Sequence, residues 1–291
     1  MVMLHPFNGL NPWGDGSDGT GPAAGTLTNS SYNYTSWTIT GNITLNPSAT
    51  GTIIRVMGDF TISGSGNIQA LPDPIGSTDW GSATDGTWGA GGTGGSNTGV
   101  TINRVTTIEN QFWSTWTQAG CGSTGGATNG FGNIRFTLLV GGSVTFDTTT
   151  SDKIIMNGFG SSDTSSGGGG GGIICIISGT KIIKSAGANL PATARGYNGR
   201  TGGAGAYGGG GGGGGAIVLM APLITDMSLT AQAVIYGAGG PSTFGGAGNS
   251  AGGGGSFGAG GNGGSVAHPS GYDGSYGQTY SLLISPLPIF Q

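Results

Sequence analysis

Charge is the scarcest commodity in this sequence. Only 7% of its 291 residues are Asp, Glu, Lys or Arg, against roughly a quarter in ordinary soluble domains. Disordered chains usually stay solvated through charge, so this is not a charged tail, and its solubility rests on Ser, Thr, Asn and backbone amides. The eight basic residues, Arg55, Arg104, Arg135, Lys153, Lys181, Lys184, Arg195 and Arg200, are scattered. Without a basic stripe, nucleic-acid binding through phosphates is not expected. The net charge of -4 names no partner and implies only ordinary colloidal behaviour.

Groups that titrate near neutrality are equally sparse. The chain has one Glu, Glu109, and two His, His5 and His268. No G-x-S-x-G elbow opens a helix. The carboxylates Asp73, Asp79 and Asp85 could pair for glycoside hydrolysis, but they lie in a Pro- and Gly-rich stretch where Asp commonly serves turns. No G-x-x-x-x-G-K-[ST] phosphate loop occurs. Asp15 and Asp18 lack the remaining ligands of a calcium loop and read as turn residues. The expectation is a non-enzymatic protein with no cofactor and no metal.

Two cysteines, Cys121 and Cys175, are too far apart for spacing to decide a disulfide. Cys175 sits in the run Ile173-Ile174-Cys175-Ile176-Ile177 and reads as a buried thiol. No stretch approaches 18 apolar residues, so no membrane insertion is expected. Residues 1–16 lack the basic-then-apolar pattern of a Sec signal. No segment has the apolar period of an amphipathic helix, so almost no α-helix is expected.

Glycine dominates what is present, at 69 residues. It alternates with a recurring phrase: an apolar strand, a short polar step, a second strand, then a glycine-rich stretch. The copies begin at Thr52, Ile134, Ile173 and Ala216. Val, Ile, Thr and Phe make these segments β. Second strands such as Phe60-Thr61-Ile62 and Val144-Thr145-Phe146 alternate, which predicts one buried face. The run from Ile173 is apolar on both faces, which predicts cover on both sides. The unequal spacing of copies argues against a strict solenoid code and for a strand scaffold with loops of varying length.

The glycine runs fall in phase with the strands. Gly167 and Gly172, Gly208 and Gly215, and Gly252 and Gly255 bound three of them, and Gly211 lies inside the second. One reading is a flexible linker. The other, favoured by the phasing, is a packed layer of threefold polyglycine II helices that bond laterally because no Cβ separates their backbones. Gly does not recur at every third position with Pro, so this is not collagen.

Glycine runs flanking apolar strands, as in 167–177 and 208–220, resemble the polyglycine-rich adhesins at the tips of tailed-phage fibres. The resemblance covers roughly residues 158–277 and rests on composition and phasing. It implies layered polyglycine II helices, with variable loops between glycine motifs contacting a host receptor. The stretch Gly14-Asp15-Gly16-Ser17-Asp18-Gly19, followed by Tyr32-Asn33-Tyr34, also looks like the opening of phage structural proteins.

Four regions follow. Residues 1–50 form an attachment segment with Trp13 and Trp37 as anchors. Residues 51–165 form a β-strand domain with a Trp-rich insertion, 166–277 the polyglycine sandwich, and 278–291 an apolar tail that docks on this chain or a neighbour. Aromatics among the glycines (Tyr197, Tyr207, Phe244, Phe257 and Tyr272) are candidate receptor contacts, because loops on a rigid base suit binding. Trp80 and Trp88 join them, whereas Trp113 and Trp116 serve equally well as caps on the core. The expected partners are a host surface protein or glycan and, through the N-terminal segment, other tail proteins, with room for a homo-oligomer. The expected location is the virion tail, or alternatively the extracellular space or cell surface.

Overall fold

The computed structural model describes residues 11–45, 52–70, 135–147, 153–158, 167–184, 192–201, 208–225, 270, 272, 273, 276 and 278–283. Those residues are all-β without helix. Every strand pairs in parallel with its neighbours, in three sheets.

The chain winds through the sheets in a fixed order. β3 (Ser31–Tyr34) lies in sheet C, β4 (Ser36–Ile39) in sheet A and β5 (Asn42–Leu45) in sheet B. The next coil repeats this with β6 (Thr52–Val56), β7 (Phe60–Ser63) and β8 (Asn67–Ala70). Two more follow: β9 (Arg135–Val140), β10 (Val144–Asp147) and β11 (Ile154–Ile155), then β12 (Ile173–Ser178), β13 (Lys181–Lys184) and β14 (Ala192–Thr193). β15 (Ala216–Ala221) and β16 (Leu223–Thr225) extend sheets C and A, and β17 (Gln278–Leu283) ends sheet C. β1 (Thr20–Gly21) and β2 (Gly25–Leu27) underlie sheets A and B. The result is a three-sided parallel β-helix.

The unequal spacing argues against a strict solenoid code; the strands nonetheless stack as a solenoid, while the expected connections of varying length join its coils. Strand register is strict; the longest connections fall on the returns to sheet C, and the corner between sheets A and B varies from 40–41 to 185–191. Sheets C and A are joined by one to three residues in every coil, such as Thr35, Gly179-Thr180 and Pro222. The connections from sheet B back to sheet C span 46–51, 71–134, 156–172 and 194–215, while 226–277 leads from sheet A to sheet C. The Trp-rich insertion and the glycine runs thus enter the chain path before strands of the same sheet.

Parallel stacking puts like residues in ladders along the axis. Tyr32, Ile54, Leu138, Ile176 and Leu219 are in register in sheet C, and the last four are fully buried. Trp37, Phe60, Val144 and Ile182 do the same in sheet A. Each such side chain contributes about 1.5–3 kcal/mol by leaving water. Aromatics fill the lower coils: Tyr34 lies 5.4 Å from Trp37, which lies 5.2 Å from Phe60. Burial pushes the Tyr34 phenol well above its ordinary pKa. The alternation expected of β7 and β10 is present, and β12 and β15 are buried on both faces as expected.

Trp37, expected with Trp13 to anchor the chain to an assembly, is instead wholly buried, its indole N–H donating to the Pro22 carbonyl at 2.8 Å. Gly21 lies flat on its ring, where a Cβ would collide with the indole. The small residues Gly21-Pro22-Ala23-Ala24 let the first, shortened coil close over that ring.

Residues 11–19 run along the outside of the coils, down the corner between sheets C and A. Trp13 packs on the outward cluster Leu139, Cys175, Ile177, Val218 and Met220. Its ring occupies the space beside Gly141 and Gly179, in the third and fourth of the coils that begin with β3. Gly16 sits between Thr35 and Met57, and Asp18 both donates from its N–H to the Asn33 carbonyl and accepts the Asn33 N–H, at 2.9 and 2.7 Å. Gly14, Gly16 and Gly19 have φ of 85°, 71° and 70°, which favours glycine at these bends. Asp15 accepts the Ser17 N–H at 3.0 Å, and the hydrogen bonds from Ser17 hold its carboxyl below the usual range. Both aspartates thus serve turns, as their sequence context suggested. Cys175 is buried, as expected, and Cys121 lies outside the described residues.

The apolar C-terminal segment docks, in its first part, on this chain: β17 pairs with β15 from Gln278 to Leu283. Residues 284–291 lie outside the described residues.

Candidate functional site

Extended glycine segments continue directly into sheet C. Residues 167–172 run into β12 and 208–215 into β15, and all fourteen are buried. They form no strand, yet their backbone groups are bonded at regular intervals. Gly209, Gly212 and Gly215 donate to the carbonyls of Arg200, Tyr197 and Ala194 at 2.8–3.0 Å. The carbonyls of Gly210 and Gly213 accept from Gly168 and Gly171, each at 2.9 Å. Gly211 donates to Tyr272, also at 2.9 Å. The run 208–215 therefore turns a different side to each of three neighbouring segments, and the bonds to two of them recur every third residue.

The same period governs where a side chain is tolerated. A Cβ on Gly168 or Gly171 would run into the carbonyl of Tyr197 or Ala194. One on Gly212 or Gly215 would run into Gly169 or Gly172, and one on Gly196 or Gly199 into Gly212 or Gly209. Segment 194–200 carries glycine only at 196 and 199, the two positions that face the central run. Its other positions bear the buried Ala194 and then Arg195, Tyr197, Asn198 and Arg200. Burial and bonding of this kind do not suit a flexible linker, so that reading is set aside for the described runs.

Of the expected contact residues, Tyr197 and Tyr272 are brought to this bundle and are exposed, at 40% and 45%. Tyr207, Phe244, Phe257, Trp80 and Trp88 lie outside the described residues. Of the expected structural glycines, Gly167, Gly172, Gly208, Gly211 and Gly215 are buried in the bundle, and Gly252 and Gly255 lie outside the described residues. Tyr276 is also exposed, at 56%. Among the described residues, no group of three or more His, Cys, Asp or Glu could hold a metal ion. Sequence reasoning passed over the one-in-three glycine spacing of 194–200, the signal that marks which side chains face outward there.

The arrangement is a laterally bonded glycine layer with Tyr197, Asn198, Arg200, Tyr272 and Asp273 exposed on it. Comparison with protein-family models, with curated proteins and with solved structures finds no match.

Proposed function

We propose that the chain is a non-enzymatic virion protein, a tail-fibre or tail-tip adhesin that contacts a host cell-surface receptor from its glycine-rich end. In this reading the glycine segments are polyglycine II helices. That conformation has three residues per turn, a rise of about 3.1 Å and no internal hydrogen bonds, so its N–H groups must bond sideways in three directions. The bonds of Gly209, Gly212 and Gly215 to one neighbour, with Gly211 bonded to another, carry the reading. Ordering glycine costs about 0.5–1 kcal/mol more per residue than ordering alanine. A lattice bonded on three sides offsets that cost and gives contact residues a fixed base. The β-helix, its first coil included, serves as the shaft, and its N-terminal end joins other tail proteins.

The test is binding of the labelled, folded protein to a panel of bacterial strains, with competition against virus adsorption. Saturable, competing binding is the expected result, whereas a folded protein that binds no strain sinks the proposal.

A second reading, a structural virion or extracellular filament subunit, draws on apolar exposure in the last coils: Leu223 is 48% exposed and Leu283 65%. Tyr197→Ala with Phe244→Ala separates the two. Lost cell binding with intact particles favours the adhesin, and failed assembly favours the subunit.

A further inference from the structure

The sequence of the glycine bundle contains a duplicated motif. Residues 196–202 read Gly-Tyr-Asn-Gly-Arg-Thr-Gly and residues 271–277 read Gly-Tyr-Asp-Gly-Ser-Tyr-Gly. Both place glycine at every third position, tyrosine after the first glycine, and Asn or Asp after the tyrosine. The copies belong to different connections, one leaving β14 and one leading into β17. They nevertheless meet the same glycine run, at adjacent residues and from two of its sides. The Tyr197 carbonyl accepts from Gly212 at 2.8 Å and the Tyr272 carbonyl from Gly211 at 2.9 Å. Corresponding residues of the two copies are thus pinned to consecutive residues of one segment, about 3 Å apart along it at a polyglycine II rise. Pinning holds the backbone while each tyrosine stays exposed, and Asn198 and Asp273 beside them are exposed as well.

We propose that this pair of motifs is a two-point binding site for a polysaccharide. Each tyrosine offers a flat face for a sugar ring, and the neighbouring Asn198 or Asp273 offers hydrogen bonds to its hydroxyls. Two observations favour a sugar polymer over a protein surface. A protein partner of ordinary size needs about 800 Å² on each side with an apolar centre. Here the described exposed residues of the two motifs, besides Tyr197 and Tyr272, are Asn198, Arg200, Thr201, Asp273 and Tyr276; each carries a polar group and none is an aliphatic that could form such a centre. A site repeated within one chain also fits a ligand that is itself repeated. Two modest contacts held at fixed spacing then reinforce each other through effective concentration. The inference rests on the adhesin reading above.

The experiment compares binding of the labelled full-length chain, Tyr197→Ala, Tyr272→Ala and the double variant to three preparations of a strain that binds it: untreated, periodate-oxidised and protease-treated cells. Polysaccharide extracted from the same cells serves as competitor. Both tyrosines are exposed, so the variants are expected to fold, and an unchanged circular dichroism spectrum checks this. The expected result is loss of binding after periodate, retention after protease, and competition by the extract. Each single substitution weakens binding about tenfold, and the double variant loses more than either. Binding that survives periodate but not protease overturns the polysaccharide while leaving an adhesin. Binding that none of the variants disturbs overturns the motif's role. If no strain of the panel is bound, the adhesin reading fails and the inference falls with it.

Discussion

At the residue scale, the glycines of the bundle differ sharply in what they forbid. Gly212 faces the Gly169 carbonyl, and no rotamer change can move a backbone atom aside. Gly212→Val is expected to destabilise by at least the 1–3 kcal/mol typical of overpacking, read as a lower midpoint in denaturant unfolding. A midpoint equal to wild type would mean the run does not pack as described. Trp37 makes the opposite demand. Truncating its enclosed ring to Ala is expected to cost about 3–5 kcal/mol, with no binding defect in whatever remains folded. A normal midpoint with lost attachment to a partner would restore the anchor role that its burial argues against. The sequence makes the difference between Trp13 and Trp37 hard to see. Trp13 stands between Pro12 and Gly14, and Trp37 alternates with Ile39 alone, too short a pattern to mark a buried strand; the closure of coils over Trp37 decides which is inside.

At the scale of elements, the strands were legible because composition and alternation survive intact in each segment, as in Phe60-Thr61-Ile62. The coil at 31–45 was harder to read. Its inward positions open on Tyr32, Tyr34 and Trp37 before reaching Ile39, Ile43 and Leu45, so its first half does not look like the later copies although it pairs with them in register. Closure into three sheets was hidden for another reason. The corners between sheets C and A are too short to register as loops, while the returns to sheet C vary from 46–51 to 71–134. The edge strand β17 covers β15, whose inner and outer faces are both buried. Truncation after Gly277 uncovers a flat parallel edge, an invitation to intermolecular pairing. The truncated chain is therefore expected to elute in light scattering as larger species, and a clean monomer would contradict this role. The strap of residues 11–19 has its own signature. Asp15 has a folded pKa below the unfolded carboxylate value of about 3.9. Its contribution is present above that value and fades as pH falls through the lower folded value. Protection of the Ser17 amide, measured against its intrinsic exchange rate at each pH, is expected to fall across that acid window ahead of protection in the core strands. Synchronous loss of protection would mean that the strap has no separate hold.

For the whole molecule, the coil and the excursions are separable parts. Replacing 71–134 with a link as short as 46–51 is expected to preserve the β spectrum and the cooperative transition, because both connections run from sheet B to sheet C. Collapse of the spectrum would make the insertion part of the core. The strap bears on a different property, the response to force. It crosses the coils lengthwise, with Trp13 beside Gly141 and Gly179 and Asp18 bonded to Asn33. A pull applied ahead of residue 11 therefore loads these contacts in shear, several at once. It does not peel the terminal coil strand by strand. A protein held by one end and gripping with the other would resist being torn open at its own first turn.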